Sequence, residues 1–368
     1  MITRRQFAAL PLVPLAARHA GRLTRFELQH VRVPFNERVR EAWLASWKNQ
    51  KRDQSDYVLT FATLHTDSGL TGVCESKLPL DQTEALLGSM TGKPIADYLH
   101  DDAIAGLLIG VYDILAQAAG VSIAKFLSPT AKAKIIPTWW SQCFPPTVMA
   151  SEAKLGASLG YRVHKVKARP WEDPIAQAAA ICEVIPKDMK VWVDANSSWA
   201  SVEKTFEITR QLTRFPNYFA IESPLARQNH DGYRALKGKL PLKLAEHVDA
   251  FAASGELDEW IREGLLDAWI VGAPKLGRYT RQLAAKARAA HAPIWIEHSI
   301  DNGIAQVFQA HQAAAYPEIE YSIAVTHVLA DDCMKEPFTV RDGYYDVPTK
   351  PGLGVSLDQD AIERYRTA

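Results

Sequence analysis

The chain has 368 residues, enough to bury a large core and to hold a barrel beside a smaller domain. Its 42 basic and 42 acidic residues cancel, so no overall field draws it to nucleic acid or to a membrane, and 47% apolar with 23% charged residues is an ordinary soluble composition. The four cysteines, Cys74, Cys143, Cys182 and Cys333, lie far apart, which argues against a thiolate metal site and a dense disulfide framework.

In chain order, Thr3-Arg4-Arg5-Gln6-Phe7 followed by the apolar run Ala8 to Ala17 resembles a twin-arginine export signal over residues 1–21. The run is too short to span a bilayer. Export would place the protein in the periplasm, with the cytoplasm as the alternative.

From residue 22 the pattern changes to strands. Leu23 to Pro34 and Tyr57 to Thr66 alternate apolar and polar residues, and Asp67-Ser68-Gly69 turns the second into Leu70-Thr71-Gly72-Val73. Between the two strands, Asn36 to Asp56 carries Arg38, Arg40, Trp43, Trp47 and Lys48 and reads as either a solvated loop or a lid that orders over a ligand. Residues 81–128 are helical, and Ile104 to Phe126 has the spacing of a packed helix. Residues 22–134 therefore form an α+β capping domain.

After Lys134 the organisation repeats. Strand candidates at Ile135–Trp139, Tyr161–Ala168, Lys190–Asp194, Tyr218–Glu222, Pro241–Glu246, Ala268–Gly272, Ala292–Glu297 and Ile319–Ala324 alternate with amphipathic helical stretches. No glycine-rich phosphate turn follows the first of them, so a closed (β/α) barrel over residues 135–335 is expected rather than an open doubly wound sheet. The tail, 336–368, with turns at Pro351-Gly352-Leu353-Gly354, returns to complete the capping domain.

Four of these strands end on charged groups: Lys165 and Lys167, Asp194, Glu222 and Glu246. One βα unit separates successive acids, so they belong on neighbouring strands at the catalytic rim of a barrel. Three carboxylates there describe a site for a hard divalent cation, magnesium or possibly manganese. Lys165 and Lys167 alternate on one strand and point the same way; side by side they lower each other's pKa, which leaves one able to act as a base.

Lys-x-Lys, Asp194-Ala195-Asn196, Ile221-Glu222-Ser223-Pro224 and Ala245-Glu246-His247, in that order and at those intervals, resemble the enolase superfamily, and most closely its mandelate racemase and muconate lactonising branch. The resemblance implies a capping domain on a modified (β/α)7β TIM-type barrel, one magnesium ion and removal of a proton α to the carboxylate of a small-molecule substrate through an enediolate. It implies Asp194, Glu222 and Glu246 as metal ligands, Lys167 as base, Lys165 as its partner and His298 as the acid on the opposite face. The aspartate that normally pairs with that histidine is missing: no acid occupies its place in the matching stretch Trp269–Lys275, and Lys275 lies about three positions too late to be the lysine of the muconate lactonising branch. Asp301 is an alternative partner for His298. Asn196 is expected to position the site, Glu320 to bond substrate, and Trp139, Trp140, Arg169 and His327 to line the pocket. A single good base favours a lyase that dehydrates a sugar-acid-like carboxylate; a racemase or epimerase, or a non-catalytic carboxylate-binding protein, is the alternative. The resemblance also implies a symmetric homo-oligomer.

Overall fold

The computed structural model describes residues 13–52, 56–249, 255–273, 278–298 and 300–367; the side chains of Ala273, Arg278, Tyr279 and His298 lie outside what it describes. Most of the expected signal, residues 1–12, is likewise outside. The remainder of it holds a short helix, α1 (Val13–His19), whose Ala16 is fully buried.

The capping domain follows. Strands β1 (Leu23–Pro34), β2 (Asp56–Thr66) and β3 (Thr71–Ser76) make a three-stranded antiparallel meander, with helix α2 (Glu37–Asn49) between β1 and β2 in the chain. Helices α3 (Leu80–Met90), α4 (Leu108–Ala118) and α5 (Ile123–Leu127) come next. Of the segment that reads as loop or lid, Glu37–Asn49 is a helix, begun by Asn36, whose side chain accepts from the Arg38 N–H. The expected single helix from Ile104 to Phe126 is in three pieces: a 3-10 helix (Asp102–Leu107) kinked at Ala105 (φ 47°) precedes α4, and α4 is parted from α5 where Gly120 turns left-handed (φ 70°) and the Ser122 side chain caps α5 afresh.

The short strand β4 (Lys134–Ile135) leads into the barrel. Its staves are β5 (Pro137–Ser141), β6 (Val163–Lys167), β7 (Lys190–Asp194), β8 (Tyr218–Glu222), β9 (Lys243–His247), β10 (Ala268–Ala273), β11 (Ile294–His298) and β12 (Ile319–Ala324), parallel and closed in sequence order. Between them run α6 (Pro146–Ser158), α7 (Pro174–Cys182), α8 (Val202–Leu212), α9 (His230–Leu236), α10 (Glu256–Glu263), α11 (Arg278–Ala290) and α12 (Gly303–Ala315). Local sequence explains where several begin: Asp173, Ser201 and Asn229 each turn a side-chain oxygen onto a backbone N–H of the following turn. The tail forms β13 (Val340–Arg341) and β14 (Tyr344–Asp346), a hairpin whose β14 pairs with β4, and a last helix α13 (Gln359–Tyr365) begun by Asp358. The Thr367 N–H then donates to His30 O at 3.0 Å, so the chain ends against β1 of the cap.

Two buried polar contacts fasten cap to barrel. The Glu75 carboxylate, at the end of β3, accepts from the backbone N–H groups of Asn302 (2.8 Å) and Ala305 (3.1 Å) at the start of α12, where the helix dipole favours a negative charge. On the same helix, His311 Nδ1 accepts from the Ala124 N–H (3.2 Å) and Nε2 donates to Leu353 O (2.8 Å), joining barrel, cap and tail.

That bonding requires a neutral imidazole, and burial pushes the pKa of His311 down from 6.5 to about 4. Between those values the unfolded chain binds a proton that the native protein refuses, so stability falls as pH drops through this window. For one such group the loss is up to about 3 kcal/mol. Thermal melts across the window should therefore show a shallower pH slope in His311→Gln than in the native chain; equal slopes would remove His311 from the account.

Candidate active site

Side chains alternate along a strand, and residues paired across parallel strands share a face. Lys167 pairs with Asp194, Asp194 with Glu222, and Glu222 with Ala245. Lys165, Lys167, Asp194 and Glu222 accordingly meet at the carboxyl ends of the staves. On β9 the inward positions are Ala245 and His247, since Ala245 is the partner of Glu222. On β11 Glu297, partner of Gly272, faces the same cluster.

Lys165 is the hub. Its ammonium is completely buried and bonds Glu222 Oε1 (2.8 Å), Asp194 Oδ2 (3.2 Å) and Glu297 Oε2. Burial opposes the charge, but Glu222, Glu297 and Asp194 outweigh it and hold its pKa above the ordinary lysine range. The expected mutual lowering of two neighbouring ammonium groups is thus overruled at Lys165 by the surrounding acids. Lys167, also bonded to Asp194 Oδ2, keeps 12% of its side chain exposed at the mouth.

The acids are each held on more than one side. Asn196 donates its N–H to Asp194 Oδ1 (2.8 Å) and its amide Nδ2 to Oδ2 (3.2 Å), a grip made possible by a left-handed turn at Asn196 (φ 45°). Burial would raise the Asp194 pKa, but Lys167 and Lys165 dominate and push it below the carboxylate range. Glu297 is lowered in the same way: burial opposes, and Lys165 and His247 prevail. Glu222 is raised, by burial and then by Asp194. Its second oxygen accepts from Trp192 Nε1 at 3.0 Å.

Glu246 does not join this group. It falls on the opposite face of β9, where Tyr233 OH and Ser223 Oγ (2.8 Å) donate to its carboxylate and Arg227 lies 3.7 Å away. His247 takes the inward place instead. Its Nε2 stands 2.7 Å from Glu297 Oε1 and 3.4 Å from Glu222 Oε1, and Nδ1 stands 3.3 Å from Asp249. Burial disfavours a charged imidazole, but Glu297 and its neighbours reverse this and raise the His247 pKa well above 6.5. Glu222, His247 and Glu297 each offer one ligand atom, all within 4.8 Å of one another, so the donor chemistry fits a divalent cation.

Other expected residues fall elsewhere. Glu320 is the second residue of β12, at the far end of the barrel, where it accepts from Trp295 Nε1 (3.1 Å). Trp139 points outward: its ring stacks on His327 at 3.5 Å and lies where a side chain on Gly156 of α6 would have to sit. Trp140, expected beside it, pairs with Lys165 and contacts Trp43 of α2 at 5.6 Å, so of the two rings it is the one on the site's side of β5. Arg169 follows β6 within electrostatic reach of Asp194, half-buried, its Nε without a hydrogen-bond partner. Asp301 pairs with Lys77. Lys275 and the His298 side chain lie outside the described residues. Sequence reasoning missed His247 and Glu297; both carry the signal used for the others, a charged or imidazole group closing an apolar strand.

An eight-stranded parallel barrel with an antiparallel cap and a charged cluster at its carboxyl rim is the architecture of the enolase superfamily. The enolase C-terminal domain-like family model matches residues 148–361, more than half of the chain, and the chain belongs to that family as an enzyme of the mandelate racemase and muconate lactonising branch. Arabinonate dehydratase from Saccharolobus solfataricus is 26% identical over 276 residues, 72% of each chain. Muconate lactonising enzyme from Pseudomonas fluorescens, solved with muconolactone, superposes with a TM-score of 0.76 at 20% identity, covering 95% of this chain and all of that one. A racemase from Streptomyces coelicolor A3(2) with bound magnesium superposes at 0.73 with 19% identity, covering 94% of this chain and 100% of that one.

The Trp192 indole N–H orients a carboxylate at the centre of the cluster without reaching the mouth itself. Trp192→Phe keeps the aromatic floor and removes that bond; divalent-cation affinity or turnover should fall roughly 10- to 100-fold, as for other outer hydrogen bonds to ligating groups. Isothermal titration of the two proteins with the cation would register the change, and unaltered binding and turnover would remove the bond from the design.

Proposed function

We propose that the chain dehydrates a hydroxylated, sugar-acid-like carboxylate. Lys167 takes the proton from the carbon α to the carboxylate, the β-hydroxyl leaves as water with a proton delivered from His298, and the enol product tautomerises to a 2-keto acid. Magnesium, with manganese as the alternative, would be held by the carboxylates around Glu222 and, when bound, supplies a Lewis acid for the enediolate charge.

The observation that carries this reading is the division of labour between the two lysines. Lys165 is sealed among three carboxylates and stays charged, which suits holding developing negative charge in place. Lys167 reaches the mouth, and Asp194 with Asn196 fixes the direction of its amine. It accepts the substrate proton once its amine is neutral. On the other face, Gly272 leaves His298 without the sixth-strand acid that would make it a strong base. One competent base and one acid suit elimination, whereas racemisation needs proton transfer on both faces. The name of the dehydratase relative points the same way.

A panel of aldonic and aldaric acids, incubated with the protein and magnesium in deuterated water, separates the alternatives. Keto-acid formation is expected, and Lys167→Ala should abolish it, a loss of at least about 10²- to 10⁴-fold. Solvent deuterium at the α-carbon of recovered acids of both configurations, without keto acid, would instead establish a racemase.

A further inference from the structure

We infer that this chain is built for an acid with two anionic ends: Arg169 of the barrel and Arg52 of the cap form a subsite, beyond Lys167, for a carboxylate or phosphoryl group at the far end of the substrate. The inference deepens the dehydratase reading above by naming the class of acid, and rests on it.

Strand parity places the first guanidinium. The pairing of β6 with β7 does not stop at Lys167, because the Ala168 N–H donates to Asp194 O at 2.8 Å. Lys165, Lys167 and Arg169 therefore form one row on the inward face, and each step of two residues climbs about 7 Å toward the mouth. With Lys167 at the α-carbon, the next cation up the row meets whatever the substrate carries at its other end.

The backbone of Arg169 is fixed while its side chain is not. The Arg169 N–H donates to Cys143 Sγ (3.2 Å), and the Trp171 indole N–H donates to Cys143 O (3.3 Å), so the turn after β6 is tied to the loop after β5. The guanidinium itself has neither ion pair nor hydrogen bond among the described residues. The acids near it are engaged elsewhere: Asp194 serves Lys165, Lys167 and Asn196, and Asp173 accepts from the Ile175 N–H at 2.8 Å at the start of α7. A half-buried cation left without a partner by the protein is a cation kept for a ligand.

Across the seam stands the second guanidinium. Arg52 lies over the Trp47 ring at 5.1 Å, Trp47 sits edge-on against Trp43 at 5.2 Å, and Trp43 meets Phe144, the residue after Cys143, at 6.0 Å. The two arginines thus approach from cap and barrel. Burial pulls the Arg169 pKa down from the ordinary arginine value and the Arg52 charge adds to that pull, against Asp194. An anion seated between two such groups turns their repulsion into attraction, and the planar fork of a guanidinium matches a carboxylate or phosphoryl group better than the hydroxyl that ends an aldonic acid.

The test is a matched set of six-carbon acids of one stereochemistry: the aldonic acid, the corresponding aldaric acid and the aldonic acid 6-phosphate. Each is incubated with full-length protein and magnesium, assayed for keto acid, and titrated calorimetrically. The native protein should favour one of the two doubly anionic acids over the aldonic acid at least about tenfold, in kcat/KM and in affinity, and the favoured one tells carboxylate from phosphoryl. Arg169→Gln and, separately, Arg52→Gln should each cut that preference by about tenfold or more, chiefly through KM, and Arg169→Lys should recover part of the loss at its position. Equal or better use of the aldonic acid by the native protein, a result that depends on no variant's folding, would overturn the subsite and leave the dehydratase reading standing. Arginine-dependent binding of a doubly anionic acid without keto acid would support the subsite and overturn dehydration. Binding of none of the three would overturn both.

Discussion

A buried ammonium among three carboxylates, two of them fully buried, is the constraint on which the site depends. Neither kind of charge survives burial alone: desolvation costs several kcal/mol per ion, and removal of one partner from such a cluster costs about 3–5 kcal/mol. Lys165 meets that demand by bonding acids from three other staves, β7, β8 and β11. The barrel mouth is thus drawn together by the charges that its chemistry needs. Below them, Trp192, Trp295 and Tyr321 pack with ring centroids 4.7 to 5.8 Å apart, closing the floor to water. A dry floor lowers the local dielectric, which strengthens every charge contact above it and makes any unpaired one costlier.

The two-residue period of a strand then decides which side chains share that dry space. On β6 it delivers both lysines inward. On β9 it cannot deliver both Glu246 and His247, and the register with β8 selects the histidine. Glu246, a nearly fully buried acid on the other face, is stabilised by hydroxyl donors from Tyr233 and Ser223 instead of by ammonium groups. Two adjacent residues of similar appearance in the sequence consequently acquire different surroundings and different chemistry.

Much of this was legible beforehand for a physical reason. Strands that are buried on both faces read as short apolar runs, and three of the eight, Lys190–Asp194, Tyr218–Glu222 and Ile319–Ala324, have the expected bounds to the residue. Asp194, Glu222 and the lysine pair end such runs and share one register, so placing the strands places them too. Glu246 could not be resolved that way, because its strand runs one residue further than the apolar pattern suggests and the facing of its last three residues is fixed by pairing with β8. Glu320 and Trp139 failed for related reasons. An acid at the start of a stave lies at the opposite end of the barrel from one at its finish, and an aromatic next to an inward position is itself outward. The lid-like segment stayed open in the sequence because tryptophans on a charged stretch have no assigned partner until the fold supplies one; here Trp43 finds Phe35, Trp140 and Phe144.

Those partners bear on how the mouth can open. Helix α2 rests its Trp43 on Trp140, the register neighbour of Lys165, and Arg38 of the same helix forms a two-pronged pair with Glu152 of α6 at 2.8 and 3.1 Å. Glu75 is planted in the start of α12, the helix that follows the stave carrying Glu297. A swing of the whole cap would have to pull a buried carboxylate from a helix terminus and break a buried aromatic cluster at once. Each of those losses costs kcal/mol rather than tenths. Movement of α2 alone would leave Glu75 in place but would still break the Trp43 cluster and the Arg38–Glu152 pair.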